Sequence, residues 1–491
     1  MNAVSDALKI LQTQTPRIDW LDTRAQRHTY ERDGNVLLAQ APALVALPKT
    51  SQDVADVVRC CHDLGLAFTT RGAGTGLAAG SVPHDPDCVM ISTARLHDLF
   101  TIDESAMTVH VGAGMVNARL NEILAPTGLM YAPDPSSQKA CTLGGNWAAN
   151  AGGVHCIGYG VTMDHVLSLK VITPEGNTVW ISPHEQPSTF AKSWNGLYIG
   201  SEGTLGILTE AIIKLTPMPQ HVGVALIGFN SVNAAMHAVG ELTAAGLNPK
   251  AVEFIDAITI KCVNKSFGVG LPENAQGVLL VELAYYYEQE LTISHAKLEA
   301  LIDGWNPLSR AWETNAARRD LLWKARKGAV ASYGQISPMF YVLDSVIPRQ
   351  QLAYVLDEMQ KISERFDLTI ANVFHAGDGN LHPHLMFSDT LPETVHRVEA
   401  AASAIFSLCI EVGGVLSGEH GIGMEKIKHM EEQFDEASLT MQQQVKRCFD
   451  RKDLVNPGKL IPMKSCCGES HPPTKARGLS AKGLSDSDLW I

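Results

Sequence analysis

The stretch Ala67-Phe68-Thr69-Thr70-Arg71-Gly72-Ala73-Gly74-Thr75-Gly76 runs from a short strand directly into glycines. Just before it, Asp53 to Leu64 places Val54, Val57, Val58 and Cys61 at helical spacing, so helix and strand alternate here. The fold class is therefore mixed, α/β or α+β. Bare backbone N–H groups in such a glycine turn can form a concave nest for phosphate oxygens, although a plain structural turn reads the same way. Leu77 stands where the third glycine of G-x-G-x-x-G would be, so a Rossmann NAD site is not supported.

Outward from this stretch, the chain has 491 residues, 45% of them hydrophobic and 19% charged, which excludes collagen, coiled coil and whole-chain disorder. A formal charge of -13 repels nucleic acid and anionic lipid, and no basic patch overrides it. No secretory signal stands at Met1 to Pro16, and no apolar run approaches the ~20 residues of a membrane span. A cytoplasmic protein is expected, at most held at the inner face of a membrane through partners. The ten cysteines include no C-x-x-C pair, so reduced, buried thiols are expected rather than zinc or iron–sulfur ligands.

Leu215-Thr216-Pro217-Met218-Pro219 stops a strand-like run and marks a domain junction near residue 219. Strand candidates at Val222 to Phe229 and Gly277 to Leu283, with helices at Asn233 to Ala245, Ala316 to Tyr333 and Gln351 to Phe366, indicate a second α+β domain. From Lys464 onward the composition is too poor in apolar residues to form a core.

Glycines crowd Pro133 to Gly160 and recur at Gly200-Ser201-Glu202-Gly203-Thr204-Leu205-Gly206, which favours backbone lying close to a large ligand over a series of plain turns. Asp378-Gly379 reads as a hairpin turn. With Gly377 to Asn380 as the loop, Ala376 pairs with Leu381 and His375 stands opposite His382, close enough for two imidazoles to share a metal ion. His384 lies next on that face, and Pro383 requires an edge strand or an outward N–H. Glu419-His420, set among glycines, can add a carboxylate and a base, although each His or Glu also fits a solvated surface. Arg326 shares a helix face with Trp323 and Val330 and can grip a carboxylate with two hydrogen bonds; sequence alone does not separate it from Arg318, Arg319, Lys324 or Lys327.

Seven segments in order, Arg71 to Gly76, Pro133 to Ser137, Asn150 to Gly153, Gly200 to Gly203, His375 to His382, Ser417 to Gly421 and Asn456 to Lys459, resemble the FAD-linked oxidases of the vanillyl-alcohol oxidase (PCMH-type FAD-binding) superfamily. The resemblance covers roughly residues 20 to 463 and is strongest to the group of glycolate oxidase flavoprotein subunits and D-lactate dehydrogenases. It implies an α+β fold: an N-terminal segment 1–37, a two-lobed FAD-binding domain 38–219 and a C-terminal cap domain 220–463 with an antiparallel sheet; beyond it, composition makes 464–491 a disordered tail. It implies FAD held by Arg71, Gly72, Ala73, Gly74, Thr75, Gly76, Pro133, Asp134, Ser136, Ser137, Thr142, Gly145, Asn146, Gly152, Gly153, Glu202, Gly203, Ile207 and Asn456. Thr75 stands where members with a covalent flavin often carry His, so non-covalent FAD is expected.

The resemblance further maps metal ligands (Zn or Mn) onto His375, His382 and Glu419, the proton acceptor onto His420 and the substrate-carboxylate anchor onto Arg326. Val342 stands where 2-hydroxyglutarate enzymes carry a lysine, so a second substrate carboxylate is not expected. The activity implied is oxidation of a small D-2-hydroxy acid, glycolate or D-lactate, to the 2-oxo acid, with hydride to flavin N5 and electrons to an iron–sulfur partner subunit or a quinone-type acceptor. A stand-alone D-lactate dehydrogenase and a non-catalytic flavin-binding subunit are the alternatives.

Overall fold

The computed structural model describes residues 3–181 and 189–463. The tail 464–491, expected to be disordered, lies outside the described residues, as do Cys466 and Cys467. All eight described cysteines are free, seven of them buried or half-buried.

Three large sheets and a two-stranded one, Leu129–Met130 with Thr216–Pro217, build the described residues. The first lobe has four strands in the order Asp19–Leu21, Leu44–Leu47, Val89–Ser92, Phe68–Arg71, the last three parallel. Parallel strands are covered on both faces, and Leu-Val-Ala-Leu and Val-Met-Ile-Ser are accordingly buried at every position. The expected helix crosses between them as Ser51–Leu64, begun by a capping box of Thr50 with Asp53 and ended by Gly65 at φ +67°. Its Val54, Val57, Val58 and Cys61 enter the core. That helix drops the chain into the Phe68–Arg71 strand, which delivers the glycine loop.

The second lobe is antiparallel: Phe100–Asp103, Thr108–Gly112, Ile207–Lys214, Val166–Ile172, Thr178–Trp180. After Pro219 the chain enters a larger antiparallel sheet beginning with His221–Phe229. Its spatial order is Ser309–Glu313, His221–Phe229, Gly277–Tyr285, Ala251–Asp256, Ile370–His375, then the interrupted strand Asn380–Leu381 and Pro383–Phe387. Alternation sorts side chains to two faces: Ala225, Ile227 and Phe374 pack under one set of helices, and Val224, Leu226 and Val373 join the helices Ala257–Phe267 and Ala316–Ser332 on the other.

Two details differ from the sequence reading. The hairpin register pairs His375 with Asn380, and Asn372 with Pro383, two residues away from the expected pairing. Because side chains repeat every second residue, a slip of two keeps His375, His382 and His384 on one face, with His382 diagonal rather than opposite. Pro383 is not on an edge strand: Pro383–Phe387 lies between Ile370–His375 and Met339–Val342, and the proline is tolerated as its first residue.

The ends of the chain also cross the expected boundaries. Asp19–Leu21 is a strand of the first-lobe sheet, paired with Val45 to Leu47 across position 37. Residues 436–461 return to the first lobe, where Phe68 N–H donates to Leu454 O at 2.8 Å and Asn456 N–H donates to Phe68 O at 2.7 Å. Val455 joins the core that holds Phe68.

Candidate active site

A cavity of about 480 Å³ lies where the two lobes meet the cap sheet. Gly72, Ala73, Gly74, Thr75 and Gly76 form one wall, and Ser136, Ser137, Thr142, Gly145, Asn146, Glu202, Gly203 and Ile207 continue it. Gly74 sits at φ +68° over Arg71, whose guanidinium donates to Arg32 O at 2.6 Å and lies over Tyr30. Arg71 therefore braces the loop from beneath. A Cβ on Gly76, Gly145 or Gly203 would meet no protein atom nearer than 3.7 Å, so these glycines border the cavity rather than packed protein. Thr70 Oγ1, Thr142 Oγ1 and Asn146 Nδ2 are buried without a hydrogen-bond partner. Orphaned polar atoms around a long cleft of bare backbone fit a dinucleotide such as FAD, which would satisfy them.

Other expected cofactor residues stand behind this wall. Pro133 O accepts from Asn117 Nδ2, Gly153 packs under the backbone of Asp134, and Gly152 lies against Glu419. Asn456 Nδ2 donates to Glu202 O at 2.6 Å, and the Glu202 carboxylate accepts from Ile422 and Gly423 N–H at 2.6 and 2.7 Å. This chain of contacts ties the Gly200–Gly206 loop to the segment that carries Glu419 and His420.

At the cap end, His375, His382 and Glu419 offer ligand atoms that all lie within 4.8 Å of one another. Glu419 Oε1 is 3.4 Å from His375 Nε2 and 3.1 Å from His382 Nε2. His375 Nδ1 is engaged by Glu253 Oε1 at 2.8 Å, which leaves Nε2 free for a cation in the manner of a carboxylate-supported metal ligand. Two imidazoles and one carboxylate fit Zn²⁺ or Mn²⁺ and leave open coordination positions. Burial pushes the Glu419 carboxyl up, but His375 and His382 outweigh it and hold the carboxyl well below the usual range.

His420 stacks on His382 with ring centroids 4.9 Å apart. Burial pushes its imidazole down to about 4, so the ring is neutral at pH 7. The turn presenting Glu419 and His420 is organised by Asp344, fully buried, which accepts from Ser417 Oγ at 2.6 Å, Gly418 N–H at 3.0 Å and His420 N–H at 3.1 Å. Lys426 Nζ completes that carboxylate at 3.1 Å. A second set, Asp344, His382 and His420, is also close enough for a cation, although the four bonds just named all fall on Asp344 Oδ2.

Arg326 is 4% exposed and lines the cavity, not the surface. Its Nε donates to Glu253 Oε2 at 2.6 Å, so Glu253 bridges Arg326 and His375. Val330, Phe340, Val342 and Val373 line the same end, an apolar setting around one guanidinium. His384 reaches this wall too, edge-on to Tyr333, and burial lowers its imidazole to about 3. Sequence reading missed Glu253, Asp344 and Lys426. The available signal was a carboxylate inside the apolar strand Ala251–Asp256, where burial demands a partner.

Known proteins resemble this chain in sequence and in fold. A family model described as FAD binding domain matches residues 42–182, and one described as FAD linked oxidases, C-terminal domain, matches residues 218–460. The chain is 38% identical to the glycolate oxidase subunit GlcD of Escherichia coli K12 over 465 residues, 95% of this chain and 93% of the relative. It is 29% identical to the D-lactate dehydrogenase of Archaeoglobus fulgidus over 419 residues, 85% of this chain and 91% of the relative. Among solved structures, p-cresol methylhydroxylase with substrate bound shares the fold at a TM-score of 0.79, covering 93% of this chain and 96% of that one at 13% identity. Among the described residues no helix is long and apolar enough to cross a membrane. The chain belongs to the FAD-linked oxidases with a PCMH-type FAD-binding fold, in the group of glycolate oxidase GlcD subunits and D-lactate dehydrogenases.

Proposed function

We propose that this enzyme oxidises a small D-2-hydroxy acid, glycolate or D-lactate, to the 2-oxo acid with non-covalently held FAD and a divalent cation. The observation that carries the reading is the convergence of His375, His382, Glu419, His420 and Arg326 on the cap end of the glycine-walled cavity. When bound, FAD supplies a two-electron acceptor and the cation supplies Lewis acidity at the substrate hydroxyl. The chain supplies the rest. Neutral His420 takes the hydroxyl proton, and Arg326 fixes the carboxylate so that one face of Cα is presented. Val330, Phe340, Val342 and Val373 give the substrate end an apolar wall, and Lys327, which also lines the cavity, is held by Asp134, which together favour a hydrogen or a small alkyl group at C2. Glycolate and D-lactate differ by one methyl, worth only ~1–3 kcal/mol, so both are substrates.

The relatives' name as a glycolate oxidase subunit supports electron delivery to a separate chain, for which an iron–sulfur protein is the chemical class we assign. An anaerobic titration of the purified protein tests the reading, with flavin absorption followed as glycolate, D-lactate and L-lactate are added. Bleaching by glycolate or D-lactate but not L-lactate is expected, with loss on chelation and recovery on adding Mn²⁺ or Zn²⁺. A flavin that neither glycolate nor D-lactate reduces, with metal supplied, overturns the substrate assignment.

A further inference from the structure

Asp134 stands in the Pro133–Ser137 loop on the flavin side, yet its carboxylate turns toward the cap. Oδ2 accepts from Lys327 Nζ at 2.7 Å and lies 2.9 Å from His155 Nδ1. His155 carries the contact onward: its Nε2 is 3.1 Å from Glu282 Oε1, and Glu282 Oε2 accepts from Trp323 Nε1 at 2.7 Å. The imidazole also packs on Trp323 with ring centroids 5.6 Å apart. Asp134 and Glu282 are 8% and 7% exposed, so this is a buried, charge-balanced cluster of two carboxylates, an ammonium and an imidazolium. Burial opposes the imidazolium, but Asp134 and Glu282 raise its pKa to about 10.

The cluster grips one helix. Trp323 and Lys327 lie four residues apart on Ala316–Ser332: Lys327 is hydrogen-bonded to the flavin side through Asp134, while Trp323 packs on His155 and is hydrogen-bonded to Glu282 of the cap strand Gly277–Tyr285. Arg326 and Val330 face the cavity from the adjacent stripe. Hydrogen-bonded ion pairs are directional where apolar contacts are not, so the cluster sets the height and rotation of the helix and not merely its proximity.

We propose that Asp134 is a positioning residue: with His155 and Glu282 it seats the Ala316–Ser332 helix on the flavin domain and so sets where Arg326 meets the substrate carboxylate, without contacting the flavin. The proposal rests on Arg326 being the carboxylate anchor. A displacement of about 1 Å at such an anchor costs up to ~10²-fold. Because Arg326 holds the carboxylate equally in ground and transition states, the loss falls on KM rather than kcat.

The test uses purified holoenzyme with D-lactate or glycolate and a dye acceptor, together with FAD titration of the apoprotein. Asp134→Asn and Lys327→Met are expected to raise KM about 10- to 100-fold with kcat within a few-fold and the Kd for FAD unchanged. Lys327→Arg, which keeps a cation opposite Asp134, recovers most of the loss, a rescue that a merely structural defect would not show. If Asp134→Asn does not fold, the Lys327→Met and Lys327→Arg pair reads the same contact from the cap side. Weaker FAD binding with unchanged KM in Asp134→Asn overturns the proposal and makes the residue a cofactor contact. Unchanged KM in Asp134→Asn and Lys327→Met, while Arg326→Lys raises it, overturns the positioning role alone. Unchanged KM in Arg326→Lys, or a wild type that turns over neither acid, removes the underlying reading and the proposal with it.

Discussion

Replacing Asp344 by Asn keeps the side chain's shape and removes its charge from a site where that charge is fully used. The carboxylate is 0% exposed, accepts from Ser417 Oγ and from the amides of Gly418, Glu419 and His420, and pairs with Lys426, itself 0% exposed. The carboxamide turns one acceptor into a donor facing donors and leaves the ammonium buried without a counter-charge. Breaking a buried pair from one side costs about 3–5 kcal/mol. At ~2–4 °C per kcal/mol for a domain of this size, the melting midpoint falls by about 6–20 °C. Burial opposes ionisation of Asp344, but Lys426, His420 and His382 prevail and hold its carboxyl below the ordinary value. Its stabilisation is therefore complete above the unfolded value of about 3.9 and lost only as pH falls through the lower folded value. A thermal scan at pH 7, followed by circular dichroism, reads the whole effect. Asp344→Asn/Lys426→Met, which removes both charges, should recover much of the loss. A single-variant midpoint within about 2 °C of wild type refutes the argument.

His420→Ala should lower turnover about 10²- to 10⁴-fold while the flavin stays bound, and an unchanged rate removes His420 as the base. Acid or heat precipitation should release all flavin into the supernatant, because Thr75 offers no ring nitrogen for a covalent bond; flavin left on the polypeptide contradicts this. The raised pKa of His155, about 10, arises against burial from Asp134 and Glu282. Its stabilisation is present below the unfolded value of ~6.5 and lost as pH rises through about 10, so the midpoint should fall between pH 8 and pH 10 more steeply in wild type than in His155→Gln.

Much of the site was legible because its signals are local. Glycines immediately after the Phe68–Arg71 strand, and a helix bracketed by Thr50, Asp53 and Gly65, follow from backbone chemistry within a few residues. The hairpin was legible as to face but not as to register, because period two repeats at every second offset and only the neighbouring strand Met339–Val342 selects among them. Glu253 was legible only as a carboxylate inside an apolar strand, not in its partners 73 and 122 positions away, and Asp344 and Lys426, 82 positions apart, carry no local pattern. The same distance hid the return of residues 436–461 to the first lobe.

Buried carboxylates explain how loops from distant parts of the chain hold a fixed geometry. Glu253 joins Arg326 to His375, Asp344 joins Lys426 to the Ser417–His420 turn, and Asp134 joins Lys327 to His155. Buried ion pairs contribute little net stability over apolar packing of the same volume, so their presence here is not accounted for by the fold's need for a core. What they add is direction. Each carboxylate is shared by two different segments, and each therefore fixes one segment against another: helix against hairpin, turn against strand, flavin loop against cap. The substrate end of the cavity is bounded by those same segments. Removing any one carboxylate should then disturb alignment of a specific pair of functional groups before it disturbs the fold as a whole, and the three losses should separate kinetically into base, ligand and anchor defects.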